Sequence, residues 1–116
     1  MISVIIPALN EEKAISRTIG ELKAVLEKAN IQGSEILVVN DGSDDDTEKL
    51  ARSSGARVIS HPHNIGYGRS LKDGIQASEN DTIVIIDADL TYPADAIVQL
   101  LAEYNNYIIL FIVSKF

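Results

Sequence analysis

The sequence predicts an α/β domain built on a mostly parallel, open sheet with helices on both faces. Three observations carry that prediction. Short β-branched runs alternate with longer stretches of helical periodicity, the pattern of strands joined by crossover helices. Runs such as Glu35–Asn40 (EILVVN) and Thr82–Ile86 (TIVII) are apolar without alternation, as strands covered on both faces are. Polar clusters follow several of these runs, and in a parallel sheet the carboxyl ends of the strands share one edge.

Ser3–Ile6 reads as the first strand, ended by Pro7. Asn10 reads as the N-cap of a first helix, with Glu11 and Glu12 in the turn where the helix dipole favours acids. Ile15, Ile19, Leu22, Val25, Leu26 and Ala29 then recur at helical spacing, and Asn30–Ser34 is a turn. Glu35–Asn40 is the second strand. Ser43 and Asp46 fit a capping box for a short helix that ends near Gly55, a residue suited to the left-handed C′ position. Arg57–Ser60 is the third strand and His61–Gly68 a loop. A helix over Arg69–Ser78 puts Leu71 and Ile75 on one face. Thr82–Ile86 is the fourth strand. Pro93 opens a further helical pattern with Ile97, Leu100 and Leu101 inward, and Tyr107–Val113 is the fifth strand. Short connections and one reversal of winding make this a doubly wound, Rossmann-like sheet.

Composition narrows the function classes. A hydrophobic fraction of 46% and a charged fraction of 23% are those of an ordinary globular chain. The net charge of −7 argues against a nucleic-acid surface. No cysteine is present, which suits a reducing compartment. Met1 runs into an apolar strand without a basic leader, so no signal peptide is expected, and the longest apolar run, Ile108–Val113, is far shorter than a membrane span of about 20 residues. The expected location is the cytoplasm.

Chemistry concentrates at three strand ends: Pro7–Glu11, Asp41–Asp46 and Asp87–Asp89. Asp87 and Asp89, one residue apart at the end of a buried strand, repel each other unless a cation joins them, usually a divalent metal. A phosphate ligand in so acidic a chain would likewise need a bridging cation. Plainer readings fit other residues. Asp44–Asp46 is read as a helix N-terminus with solvated charge. Gly66 and Gly68 shape a loop, and Arg69 and Lys72 lie on a solvated helix face. His61 and His63, flanking Pro62, are loop residues rather than metal ligands. Tyr92, Tyr104 and Tyr107 are packing residues.

Four stretches in order carry a family resemblance: Pro7-Ala8-Leu9-Asn10-Glu11-Glu12, Asn40-Asp41-Gly42-Ser43-Asp44-Asp45-Asp46-Thr47, Asn64-Ile65-Gly66-Tyr67-Gly68 and Asp87-Ala88-Asp89. Together they resemble the nucleotide-binding half of family 2 glycosyltransferases of the GT-A fold. The wording of Asp87–Pro93 is most similar to the polyprenyl- or dolichyl-phosphate sugar transferases. The resemblance covers residues 2–104. It implies a nucleotide-sugar-binding part over 1–104 and an atypical or truncated tail over 105–116. Pro7, Leu9 and Glu11 would line the base and ribose pocket. Val39 and Asp41 would contact the base, Asp41 accepting a hydrogen bond from its ring N–H. Asp87 and Ala88 would lie along the ribose and diphosphate. Asp89 would be the catalytic residue, holding Mg²⁺ or Mn²⁺, with Asp87 and Thr91 as further metal-site residues. The implied partners are a UDP- or GDP-linked sugar and a polyprenyl phosphate acceptor, which would bring the protein to the cytoplasmic membrane face.

The chain also departs from that pattern. Complete members continue into an acceptor segment and, when inverting, a general-base carboxylate. Here 27 residues follow Asp89, with Asp95 and Glu103 their acids, and the tail from Asn105 holds neither Gly nor Arg. Two alternatives follow. One is a catalytically inactive, truncated module that binds nucleotide or a partner, self-associating through an uncovered edge. The other is a phosphatase, because Asp87-Ala88-Asp89-Leu90-Thr91 also resembles the nucleophile motif of the haloacid-dehalogenase group.

Overall fold

The computed structural model describes residues 1–89 and the backbone of 109–112. Its elements run β1 (Ile2–Ala8), α1 (Ile15–Lys28), β2 (Glu35–Asn40), α2 (Thr47–Ser53), β3 (Arg57–Ser60), α3 (Tyr67–Ala77), β4 (Thr82–Ile86) and β5 (Ile109–Ile112). The strands form one sheet in the order β3-β2-β1-β4-β5, and every pairing is parallel. The chain therefore winds outward from β1 to β3, crosses back over β1, and continues on the other side through β4. The expected helix after Pro93 and the residue Thr91 lie outside the described residues.

Strand periodicity sorts the core into two layers. Val4, Ile6, Val38, Val84 and Ile86 project to one face, where Ile15, Ile19, Leu22 and Leu26 of α1 and Ala51 of α2 cover them. Ile5, Val39, Ile83 and Ile85 project to the other, under Leu71 and Ile75 of α3. Each fully buried Ile or Leu contributes about 1.5–3 kcal/mol relative to exposure. On the second face α3 comes so close that a Cβ on Gly74 would stand 2.7 Å from Ile5 Cγ2 and 3.1 Å from Val39 Cγ2. Among the described residues no helix is long and apolar enough to cross a membrane.

Helix ends explain most departures from expectation. Asn10 does not cap α1. It adopts φ 55°, and the helix starts only at Ile15, after a turn closed by the Ala14 and Ile15 N–H groups on the Glu11 carbonyl. Ser43 and Asp46 do not form a capping box, because neither side chain bonds the first turn of α2, which starts at Thr47. Asp45 takes the Thr47 N–H instead, at 3.0 Å. The C-termini follow the expected rule. Gly55, at φ 94°, ends α2 with its N–H on the Arg52 carbonyl and the Ala56 N–H on the Ala51 carbonyl, a Schellman motif. Asn30, at φ 58°, ends α1 in the same way.

Two boundaries also move. β1 continues through Pro7 to Ala8, where Pro7 pairs with Val39 of β2. The ladder to β4 has already stopped at Ile5–Ile85, so Pro7 lies beyond that pairing and its missing N–H breaks no rung there. α3 starts at Tyr67, two residues earlier than its apolar spacing indicates, because Gly66 makes the turn at φ 112° and the Ser70 N–H already reaches the Gly66 carbonyl.

Candidate functional site

Because β1 lies between β2 and β4, the loops after these three strands meet at one edge of the sheet. A cleft of ≈ 390 Å³ opens there, at the point where the winding reverses. Such a switch point is where open α/β sheets bind ligands. The cleft brings together Pro7 and Leu9 after the core of β1, Asp41 after β2, and Asp87, Ala88 and Asp89 after β4, with Glu11 at its side. Val39 does not line it; its side chain is fully buried with Ile5 beneath α3. A second hollow of ≈ 480 Å³ is built differently, since its Arg57 guanidinium is paired with Glu35 at 2.6 Å and with Glu79 at 3.5 Å.

The loops after β1 and β2 are laced together. The Asn10 N–H donates to Ser43 Oγ at 2.9 Å, and the Asp44 N–H donates to Asn10 Oδ1 at 2.8 Å. The Glu11 N–H donates to Thr47 Oγ1 at 2.8 Å, and the Asp46 N–H to Glu12 Oε1 at 3.1 Å. Asp45 binds the Thr47 hydroxyl and accepts from the Glu12 N–H at 3.3 Å. Partial burial alone would raise the Asp45 carboxyl, but the Thr47 hydroxyl and backbone N–H groups outweigh it and hold it below the usual range. Asp45 and the backbone around it thus fasten the loop that presents Glu11, beyond the expected N-terminal charge.

Asp41 lines the cleft from the end of β2. Its Oδ1 accepts from the Ile65 N–H at 2.9 Å and meets His61 Nδ1 at 2.8 Å, and its Oδ2 accepts from the Gly66 N–H at 3.0 Å. Burial pushes this carboxyl up, yet the Ile65 bond, His61 and the Gly66 bond together bring it below the ordinary aspartate value. Asp41 is thereby an ionised acceptor in a nearly buried position.

After β4, Ala88 is buried between Asp87 and Asp89. Its carbonyl accepts a 2.7 Å hydrogen bond from the Thr18 hydroxyl, and Thr18 is fully buried on α1. That bond spans 70 residues and anchors the turn that carries both acids. Thr18→Val keeps the shape and leaves the Ala88 carbonyl without that donor, so we expect a loss of about 1–3 kcal/mol. Urea denaturation of the variant would measure it, and an unchanged midpoint would show that the turn does not depend on this bond.

Three lining residues were given no site role from sequence: Asn64 and Tyr67, known only as part of the third motif stretch, and Ser70, from the third loop and the start of α3. Tyr67 is 56% exposed and stands near Asp87, and partial burial followed by the Asp87 charge raises its phenol above the ordinary value. The Gly-Tyr-Gly wording was the available signal, masked by the loop-forming glycines around it. His61 lies in the loop after β3, as expected, but the sequence did not show its partners: its side chain is buried, with Asp41 on one ring nitrogen and Asp73 on the other. Among the described residues no group of three or more His, Cys, Asp or Glu side chains is arranged to hold a metal.

Comparison with known proteins gives a consistent result. Residues 3–114 match the family described as Glycosyl transferase family 2. Glucosyl-3-phosphoglycerate synthase of Mycobacterium tuberculosis is 38% identical over 99 residues, covering 79% of this chain and 30% of that protein. Low-salt glycan biosynthesis hexosyltransferase Agl6 of Haloferax volcanii is 39% identical over 100 residues, covering 86% and 24%. A crystal structure of the Mycobacterium tuberculosis synthase in complex with Mn²⁺, UDP and phosphoglyceric acid superposes with a TM-score of 0.73 at 37% identity, over 89% of this chain and 38% of that one. The chain therefore spans about a quarter to two fifths of the length of these relatives.

Proposed function

The chain belongs to glycosyl transferase family 2, and from that premise we propose that its cleft binds the nucleotide diphosphate of a sugar donor together with a divalent metal. The observation that carries this reading is the convergence of three strand ends at the switch point, which brings Asp41, Asp87 and Asp89 into one cleft. In this reading Pro7 and Leu9 flank the base and ribose, and Glu11 accepts from ribose hydroxyls. Asp41 accepts a ring N–H of the base. Asp87 and Ala88 run along the ribose and diphosphate. Residues 1–104 act as the donor-binding part, and 105–116 as a tail that adds the edge strand β5.

The donor set fits Mg²⁺ or Mn²⁺. Asp87 and Asp89 supply hard carboxylate oxygens, and such ions are commonly held by one or two carboxylates completed by substrate phosphates. Two acids, with no third side-chain ligand among the described residues, match a cation that arrives with its diphosphate, and Thr91, outside those residues, is a further expected ligand. When bound, the ion supplies Lewis-acid stabilisation of charge on the leaving diphosphate. The protein's own contribution is positional: Asp41 and Leu9 fix the base end, the Thr18-anchored turn fixes the acids, and the fixed separation between them sets where the sugar carbon sits.

The acceptor is the finer question. The expectation of a polyprenyl phosphate gains no support from these relatives, one of which is named for phosphoglycerate and was crystallised with phosphoglyceric acid. A small phosphorylated acceptor is the reading they favour. The phosphatase alternative is displaced by the family assignment.

Calorimetric titration of UDP and GDP, each with Mn²⁺ and with EDTA, tests the proposal. We expect one nucleotide to bind with Mn²⁺ and to lose binding in EDTA. A folded chain that binds neither under any condition would overturn the donor reading. Release of sugar from the matching nucleotide sugar, by transfer or slow hydrolysis, would separate an active enzyme from a binding module.

A further inference from the structure

The buried imidazole of His61 stands between two carboxylates. Its Nδ1 is 2.8 Å from Asp41 Oδ1 and its Nε2 is 2.8 Å from Asp73 Oδ2, with only 8% of the His61 side chain exposed. A neutral ring has one N–H and one lone pair, so one of these contacts would set a lone pair against a carboxylate. Both are attractive only when the ring carries two N–H groups. Arg69 on α3 completes the line, its Nε donating to Asp73 Oδ1 at 3.0 Å. Charges thus alternate along Asp41, His61, Asp73 and Arg69. Asp41, from the end of β2, and Asp73, from α3, are the charged groups that face the ring among the described residues.

We propose that His61 is a positioning residue of the donor site: clamped between Asp41 and Asp73, it holds the Asp41 carboxylate turned so that Oδ2 reads the ring N–H of a uracil or guanine base. This rests on the donor reading above. The hydrogen bonds support it. Asp41 lines the cleft; its Oδ1 is occupied by His61 and the Ile65 N–H, whereas its Oδ2 takes the Gly66 N–H and keeps acceptor capacity. Uracil and guanine present a ring N–H to such an acceptor; cytosine and adenine present a lone pair, which it repels. The clamp therefore serves base selection as well as affinity.

Burial pulls the imidazole pKa down, but the hydrogen bonds from the ring to Asp41 and Asp73 and the charges of both acids outweigh it, and the folded value lies above the ordinary one. The clamp's contribution to stability and to binding is complete below the ordinary imidazole pKa of about 6.5 and is lost as pH rises through the raised folded value.

The test is calorimetric titration of UDP against CDP, and of GDP against ADP, with Mn²⁺ from about pH 6 to about pH 8, the range in which a histidine changes charge. The wild-type chain is expected to prefer the base with the ring N–H and to lose that preference as pH rises. His61→Gln is expected to weaken the preferred nucleotide about tenfold, as befits a lost charge-assisted bond, while leaving the other unchanged. Asp73→Asn, which alters no cleft-lining residue, is expected to move the loss of affinity to lower pH. Wild-type base preference and pH profile in a folded His61→Gln chain would overturn the inference and leave the donor reading standing. Should His61→Gln fail to fold, an unchanged profile in Asp73→Asn would overturn it in the same way. A folded wild-type chain that binds none of the four nucleotides overturns the donor reading and this inference with it.

Discussion

Replacing Asp89 by alanine is expected to abolish Mn²⁺-dependent nucleotide binding, a loss of about 100-fold or more. Changing a residue that merely supports a ligand costs about 10–100-fold in metal affinity, and removing a ligand should cost no less. Asp89 lines the cleft with Asp87 at the end of β4, and the described residues offer no cluster of three acids or histidines to take over. Asp87→Asn should weaken binding too, by removing the second carboxylate. Asp81→Ala is the control: it removes an equal charge from an exposed position just before β4, at the other end of the strand. If Asp89→Ala and the wild type gave the same isotherm with Mn²⁺, the metal would have to be placed elsewhere.

Gly42→Ala should produce the largest loss of stability, about 2–4 kcal/mol, the sum of a left-handed backbone penalty and overpacking. Gly42 has φ 78°, and a Cβ there would lie 2.4 Å from the His63 carbonyl carbon and 2.6 Å from the Asn64 nitrogen. Those are backbone atoms, so no side-chain rotation relieves the clash. The segment that must move also carries His61 and the Ile65 and Gly66 N–H groups that hold Asp41. Nucleotide affinity should therefore fall with stability. The measurable signature is a lower denaturant midpoint with an unchanged slope. Gly20→Ala is the contrasting case, since a Cβ on that exposed helical position meets nothing within 4 Å, and it should be neutral or stabilising by up to about 1 kcal/mol. Equal midpoints for Gly42→Ala and the wild type would mean that the third loop yields freely and does not pin Asp41.

Much of the site was legible because its residues sit where local pattern changes abruptly. Asp87 and Asp89 stand out at the end of a β-branched run, and Asp41 follows EILVVN directly. Their convergence also follows from parallel alternation alone. Residues whose roles come from distant partners were not legible. Thr18 is one polar position in a helix, and nothing near it in the sequence points to Ala88. His61 beside Pro62 looks like loop chemistry until Asp73 arrives from α3.

The strands, their parallel alternation with helices, the left-handed helix end at Gly55 and the acids gathered at strand ends are legible in the local sequence. These depend on side-chain shape and backbone preference within a turn or a pleat, interactions that span a few residues. Only the tertiary structure decided the order β3-β2-β1-β4-β5, the burial of Val39 away from the cleft, the lacing of the Asn10 and Ser43 loops, and the clamping of Asp41 by His61. The reason is physical. A strand's alternation shows that it has two faces but not which helix covers each, and a polar side chain in a loop finds its partner only after the sheet has set which loops are neighbours.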